Sequence, residues 1–255
     1  MKNSIQTMAA AVDEACGHGL HSLWLYGSVV LNDFRLGWSD IDMIALTKEP
    51  IMETRADSLL MLRQKLTERF PENPYYRCFE GIICCLDEFR TDQFQRLVYW
   101  GTSGQRVTDR YRLDPFARYE LAHHGECVFG EADRDLFLPP DQEELKTAVR
   151  KHYEAIRTYA VLTDDSLYSC GWLLDLARCV YTLRYQKVIG KTQAGIWALE
   201  NHVFADEEAI RKTLMIRQDP VSYRDCPETR TWLKSLGPTV QRCADVLGKE
   251  LEEKA

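Results

Sequence analysis

The chain has 255 residues, of which 45% are hydrophobic and 28% charged, and its formal net charge is −7. This composition is ordinary for a soluble globular protein. It contains no run of about 18 apolar residues, so we expect no membrane partner. The negative charge and the lack of a basic stripe argue against nucleic acid as a partner and suit a cationic small molecule instead.

The first residues and the cysteines bear on cellular location. Residues 1–6 lack the apolar core of a secretion signal, so we expect a cytoplasmic protein. The nine cysteines are an odd number and include no Cys-x-x-Cys pair. This usage favours reduced thiols over a disulfide framework or a zinc site.

The N-terminal half has the pattern of a mixed α/β domain. Apolar residues at spacings of three and four predict helices, and short apolar runs predict strands. The predicted elements are, in chain order, a helix over 4–16, strands over 22–26 and 41–46, a helix over 54–70, a strand over 77–86, a helix over 115–124 and a strand over 126–129. The strand over 77–86 is apolar on both faces, which predicts a central position in the sheet.

The pattern changes after Pro139 and Pro140. Asp141 is the predicted N-cap of a helix, and Glu144 completes a capping box with it. Helices are then predicted over 142–161, 168–187, 191–203, 206–217 and 229–252. We therefore predict an α+β chain with two domains, a mixed α/β domain over residues 1–140 and an all-α bundle over residues 141–255.

Two acids with one residue between them introduce the second predicted strand. Asp40 and Asp42 share a face, because successive side chains of a strand point to opposite faces. Paired carboxylates repel unless a cation lies between them, and such hard oxygen ligands suit Mg²⁺. Gly27 and Ser28 end the preceding strand, where a glycine lets the backbone approach phosphate oxygens. Phosphate binding beside magnesium carboxylates predicts nucleotidyl transfer.

A third acid, Glu80, interrupts the apolar strand over 77–86. A carboxylate in such surroundings costs several kcal/mol unless it is paired, metal-bound or part of a site. The alternative is a hairpin-like connection with exposed acids, and that alternative does not explain Glu80. We therefore expect Glu80 to join Asp40 and Asp42 in one site.

The pattern of Gly27-Ser28 followed by Asp40-x-Asp42 resembles the signature of the DNA polymerase β-like nucleotidyltransferase superfamily. Residues 168–183 and 187–199, at matching separation, look like the helical domain of the streptomycin/spectinomycin adenylyltransferases. The similarity is patchy and spans roughly residues 20–217. It implies a polymerase β-like nucleotidyltransferase domain followed by a helical bundle, with the active site in a cleft between them.

The resemblance assigns metal and catalytic roles to the three acids. Asp40, Asp42 and Glu80 would bind two Mg²⁺ ions that bridge the ATP triphosphate, and Glu80 would also be the catalytic base. A carboxylate within hydrogen-bond reach can take the proton of a sugar hydroxyl as that hydroxyl attacks the α-phosphorus.

The resemblance also implies contacts to ATP and to the acceptor. Gly27, Ser28 and Ser39 would bind phosphates, and Arg178 and Lys191 of the helical domain would contact ATP as well. The acceptor contacts implied or suggested in the same way are Trp100, Tyr159, Asp164 and Asp175. Instead of contacting the acceptor, Trp100 could pack in the core. Instead of contacting ATP, Arg178 could form an ordinary ion pair on its helix.

Two departures from the family pattern bear on the acceptor. Tyr159 stands where streptomycin-modifying relatives have a tryptophan, and Tyr168 falls where the family has an acid. Both departures argue against streptomycin and leave open spectinomycin, which is smaller and is favoured, or a different amino-sugar. We therefore predict a monomeric, Mg²⁺-dependent enzyme that transfers AMP from ATP to a hydroxyl of an aminoglycoside-type antibiotic. The alternatives are an adenylyltransferase for another acceptor, such as a protein hydroxyl or a metabolite, and an inactive nucleotide-binding regulator.

Overall fold

The structure is a computed structural model that describes residues 1–101 and 104–253. Within these residues the chain divides into two compact units. The first comprises Met1–Phe34 and Ser39–Pro139, and the second comprises Arg35–Trp38 together with the chain from Pro140 onward. No helix in the described ranges has both the length and the apolar content needed to span a bilayer.

The first unit is built on one mixed sheet. Its strands are β1 (Leu20–Tyr26), β2 (Ile41–Thr47), β3 (Phe79–Cys85), β4 (Leu97–Gly101), β5 (Gly104–Thr108) and β6 (Glu126–Gly130). Across the described part of the chain they lie in the order β5-β4-β3-β2-β1-β6. Strands β2 and β3 are parallel, and every other neighbouring pair is antiparallel.

Helices cover both faces of this sheet. Helices α1 (Lys2–Ala15) and α2 (Glu53–Arg69) pack on one face, against residues such as Met43, Ile83 and Trp100. The other face packs against α3 (Leu86–Thr91) and α4 (Pro115–His124), and its core contains Ile44, Ile82 and Phe137. Because side chains alternate along a strand, this second face is also the face of Asp42 and Glu80.

The second unit is helical. Its elements are α5 (Gln142–Tyr159), α6 (Tyr168–Tyr185), α7 (Lys191–Glu200), α8 (Glu207–Gln218), α9 (Pro220–Arg224), α10 (Pro227–Lys234) and α11 (Gly237–Glu253). The predicted capping box is present, because the Asp141 carboxylate accepts from the Glu144 N–H at 2.8 Å and the Glu144 carboxylate accepts from the Asp141 N–H at 3.0 Å.

A short piece of the β1–β2 connection belongs to the helical unit. Arg224 donates a hydrogen bond to the carbonyl of Gly37. The guanidinium of the buried Arg217 lies 5.2 Å from the ring centroid of Trp38, and its Nε donates to the Thr192 hydroxyl at 3.0 Å. These contacts fix Gly37 and Trp38 within the helical unit; Trp38 is two residues before Asp40 in the sequence.

The predicted fold class is confirmed, and several elements are corrected. The short helix α9 was not predicted. The single helix predicted over 229–252 is broken between Lys234 and Gly237, and α11 begins with a proline as its second residue. Helix α3 begins directly after β3 and was not predicted. The hairpin of β4 and β5 was also missed, because β5 is an edge strand with few apolar side chains and owes its structure to its pairing with β4.

Candidate active site

The register of β2 and β3 brings two of the predicted acids together. Asp42 is the direct partner of Glu80 across the parallel pair. Partners in register point to the same face, so the two carboxylates are neighbours. Both residues are half-buried, which leaves them accessible from solvent.

Asp40 lies immediately before β2, at the end of the connection that begins with Gly27 and Ser28. Its carbonyl oxygen accepts a hydrogen bond from the Ser28 hydroxyl at 3.2 Å, which ties the glycine-serine turn to the start of β2. Ser39 precedes it in the same half-buried stretch. The structure therefore places Gly27, Ser28, Ser39 and Asp40 in one local region.

Arg63 of α2 is a cation shared by two of the acids. Burial lowers the pKa of Arg63, and the charges of Glu80 and then Asp40 oppose that shift. The guanidinium donates from Nη1 to the Phe79 carbonyl at 2.7 Å and from Nε to the Gln105 side chain at 2.7 Å. Sequence reasoning missed Arg63, because a single arginine on an amphipathic helix carries no signal of its own.

Gly27 makes the room that Asp42 occupies. Its φ is +69°, in the left-handed region that favours glycine, and a Cβ at this position would overlap the Asp42 carboxylate. The resulting set of carboxylate oxygens is the chemistry that Mg²⁺ prefers. Among residues 1–101 and 104–253, no three His, Cys, Asp or Glu side chains are gathered into a metal-binding group. The donors thus have the right chemistry and are not drawn together into a coordination shell.

Two buried tyrosines line the same face. Tyr26 is the partner of Asp42 across β1 and β2, and its hydroxyl shares a hydrogen bond with Tyr111. Burial raises the pKa of Tyr26, and the nearby Tyr111 and Asp42 raise it further. Burial also raises the pKa of Tyr111 to about 12, although the hydrogen bond with Tyr26 opposes this. Both phenols are therefore neutral hydrogen-bonding groups near neutral pH.

A third tyrosine contacts Glu80 directly. The Tyr99 hydroxyl donates to Oε1 of Glu80 at 3.1 Å. Sequence reasoning missed this residue because it did not predict β4. The run Leu97-Val98-Tyr99-Trp100 carried the missing signal, since a strand there would have placed Tyr99 and Trp100 on opposite faces.

The predicted acceptor contact at Trp100 is wrong. Trp100 is 1% exposed and lies in the core on the α2 face, where its indole N–H donates to the Leu59 carbonyl at 3.1 Å. Glu80 points to the opposite face of the sheet. A tryptophan enclosed in this way cannot line a site on Glu80's face.

In the helical unit, the two predicted ATP contacts share one acid. Lys191, the first residue of α7, lies with its Nζ 3.0 Å from Oδ1 of Asp175, and Arg178 lies with Nη2 3.4 Å from the same oxygen. Burial raises the pKa of Asp175, but the charges of Lys191, Arg178 and His152 outweigh it, and the net shift is downward. The carboxylate of Asp175 holds two cations, and its predicted contact with the acceptor stays a prediction.

The remaining two predicted acceptor contacts differ from each other. The Asp164 carboxylate accepts hydrogen bonds from the Ser166 N–H at 2.9 Å and from the Ser169 hydroxyl at 3.0 Å, so it organises the turn before α6. The hydrogen bonds from Ser166 chiefly lower the pKa of Asp164. Tyr159 ends α5 with 73% of its surface exposed, which leaves its ring available for a contact.

Residues 135–235 match the family model described as "Aminoglycoside adenylyltransferase, C-terminal domain". The matched residues make up most of the helical part of the chain. The family resemblance seen in the sequence is thereby confirmed, and so is the class of enzyme, an aminoglycoside adenylyltransferase-like nucleotidyltransferase. No curated protein sequence matches the chain.

The fold is similar to a solved structure described as spectinomycin adenyltransferase AAD(9) from Enterococcus faecialis with ATP and spectinomycin. The TM-score is 0.64 at 17% sequence identity, and the match covers 95% of this chain and 97% of that chain. At this identity the likeness establishes that the adenylyltransferase-like chain has the nucleotidyltransferase fold with a helical C-terminal part.

We predict that Trp100→Phe lowers the stability of this adenylyltransferase-like protein by about 1–3 kcal/mol, because it removes a buried hydrogen bond and core volume. The Michaelis constant of the acceptor should stay within about twofold, since the ring does not face Glu80. Chemical denaturation and steady-state kinetics check both parts. A raised constant at unchanged stability would restore the acceptor role.

We predict that Asp175→Asn costs about 2 kcal/mol of stability at pH 7, because two cations lose their shared counter-charge. The folded-state pKa of Asp175 is lowered, so its contribution is present above the ordinary Asp pKa of 3.8 and is lost as pH falls through the folded value. Denaturation at several pH values should therefore show a constant gap between wild type and variant above pH ~5, narrowing only in stronger acid.

Asp165→Asn is the matched control for Asp175→Asn. Asp165 also pairs with two cations, Arg230 at 2.7 Å and Lys234 at 3.4 Å, but in a more exposed position. Its loss should change stability by clearly less than the loss of Asp175, because solvent screens an exposed ion pair. Equal effects of the two substitutions would show that burial does not set the strength of the Asp175 cluster.

Proposed function

We propose that the enzyme transfers AMP from ATP to a hydroxyl of an aminoglycoside-type antibiotic, with spectinomycin preferred over streptomycin. The observation that carries this proposal is the pairing of Asp42 with Glu80 on one face beside Gly27. The family match of residues 135–235 supports the choice of substrates, and so does the similarity to AAD(9), a spectinomycin adenyltransferase solved with ATP and spectinomycin.

Glu80 is the proposed base. Its carboxylate takes the proton of the acceptor hydroxyl while the oxygen forms a bond to the α-phosphorus, and the bond from that phosphorus to the bridging oxygen breaks to release pyrophosphate. Mg²⁺ held by Asp40 and Asp42 would neutralise charge on the triphosphate, and two ions are proposed; Glu80, which the resemblance also names as a metal ligand, serves as the base. Gly27, Ser28 and Ser39 hold the phosphates through the turn that the Ser28–Asp40 hydrogen bond organises.

Arg178 and Lys191 are the proposed cationic contacts of the triphosphate. Both positive side chains contact the carboxylate of Asp175. Asp175 also restricts where the two long side chains can go. The triphosphate of ATP would therefore bind two cations that are already restricted in position, so less conformational entropy is lost on binding.

Tyr159 is the proposed ring contact of the acceptor, because its side chain is exposed at the end of α5. The tyrosine stands where streptomycin-modifying relatives have a tryptophan, and this departure supports spectinomycin over streptomycin. The net charge of −7 favours the approach of a cationic acceptor. We further propose a cytoplasmic monomer, and a reducing location is supported by the nine cysteines, which form no disulfide within residues 1–101 and 104–253.

The deciding experiment incubates the purified protein with Mg²⁺-ATP and a panel of acceptors that includes spectinomycin and streptomycin. Pyrophosphate release and the mass of the product are measured. We expect release and an AMP adduct with spectinomycin and a weaker or absent reaction with streptomycin. Nucleotide binding without transfer to any acceptor on the panel would contradict the proposal and favour another acceptor or a regulatory role.

We predict that Glu80→Gln reduces turnover by about 10²-fold or more and leaves ATP affinity nearly unchanged, because the amide keeps the shape of the side chain and cannot accept the proton. Rapid-quench kinetics and isothermal titration with ATP measure the two quantities. Glu126→Gln, at an exposed position of β6, is the control and should behave as wild type. Unchanged turnover in Glu80→Gln would remove the proposed base.

A further inference from the structure

Tyr99 is placed by β4 on the same face as Glu80. It is the partner of Ile82 across the antiparallel pair of β3 and β4, and Ile82 and Glu80 share a face because they are two residues apart. The phenol reaches along its strand toward Glu80 and donates its hydrogen to Oε1 at 3.1 Å. The contact therefore joins two neighbouring strands through their side chains.

The backbone next to Tyr99 is adapted to this arrangement. A Cβ on Gly101 would overlap both the ring and the hydroxyl of Tyr99, so the phenol lies across the space that a side chain would fill. On the next strand, Arg106 is the partner of Tyr99, and its guanidinium lies 4.2 Å from the ring centroid. A cation at this distance from an aromatic ring is attracted to it. The space left at Gly101 and the stacking of Arg106 thus fix the ring of Tyr99.

We propose that Tyr99 is a positioning residue that holds the Glu80 carboxylate in the orientation required of a base; this rests on the proposed function. The phenol occupies one oxygen of the carboxylate and leaves the other available for the proton of the acceptor hydroxyl. A glutamate side chain has several rotatable bonds, and a fixed donor selects one of its orientations before the acceptor binds.

The kinetic test compares Tyr99→Phe with wild type, using Mg²⁺-ATP and spectinomycin. We expect kcat to fall about tenfold, as for other groups that orient a reacting side chain, and KM for ATP to stay within about twofold. The same substitution in a Glu80→Gln background should produce no further loss, because the tyrosine acts through the carboxylate. An equal loss in both backgrounds would overturn the proposal and indicate that Tyr99 contacts the substrate itself. Tyr185→Phe, in the helical unit, is the control and should match wild type.

A crystallographic test does not depend on activity. In wild-type crystals, Glu80 should occupy one rotamer hydrogen-bonded to Tyr99; in Tyr99→Phe it should adopt other rotamers or lose its density. Gly101→Ala, which displaces the phenol and retains it, should disturb Glu80 in the same way. An unchanged Glu80 in the Tyr99→Phe crystals would overturn the proposal. If the wild type transfers AMP to no acceptor while Glu80 responds as expected, the proposed function fails and the positioning contact stands.

Discussion

The parallel pairing of β2 with β3 is the constraint on which the candidate site depends. It places Asp42 beside Glu80, and two adjacent carboxylates raise the free energy of the fold unless positive charge compensates them. Their register is held by the apolar residues of the same strands, because a slip of one residue would turn Ile82 and Ile83 toward the wrong cores. Packing on both faces of β3 therefore sustains an arrangement that electrostatics alone opposes, and Arg63 offsets part of the cost from the edge of the site.

The helical unit contains the converse arrangement, in which one carboxylate contacts two cations. Lys191 and Arg178 lie 3.0 Å and 3.4 Å from the same oxygen of Asp175. Burial raises the pKa of Asp175, but the charges of Lys191 and Arg178 outweigh it, and the net shift is downward. Packing therefore holds like charges close together in each unit, carboxylates in the sheet unit and cations in the helical unit. Groups held in this way are candidates for binding a ligand of opposite charge.

Local sequence signals were sufficient for the parts of the fold that pack on themselves. The apolar spacing of α1 and α2, the doubly apolar β3 and the capping box at Asp141 all describe neighbours in sequence. The hairpin of β4 and β5 is local in sequence, but β5 has few apolar side chains and does not show the alternation of a half-buried strand. Without a prediction of β4, the assignment of its residues to the two faces of the sheet was also lost. That is why the sequence pointed to Trp100 and not to Tyr99, although they are adjacent. Pro238 did carry a local signal for the break before α11.

Gly27 and Gly101 contribute to the site because they have no side chain, and neighbouring groups occupy the space that a Cβ would fill. The sequence pattern at Gly27 indicates phosphate binding, yet its most direct contact is the Asp42 carboxylate, which lies where a Cβ would stand. Gly101 makes room in the same way for the phenol that reaches Glu80. Each glycine thus leaves space for a group that lies on, or contacts, a neighbouring strand. Gly27, after β1, makes room for Asp42 of β2, and Gly101 of β4 makes room for Tyr99, which contacts Glu80 of β3. At both positions the constraint is the lack of space for a side chain. Gly27 also has a left-handed backbone conformation. Another residue at position 27 would be strained and would displace the Asp42 carboxylate.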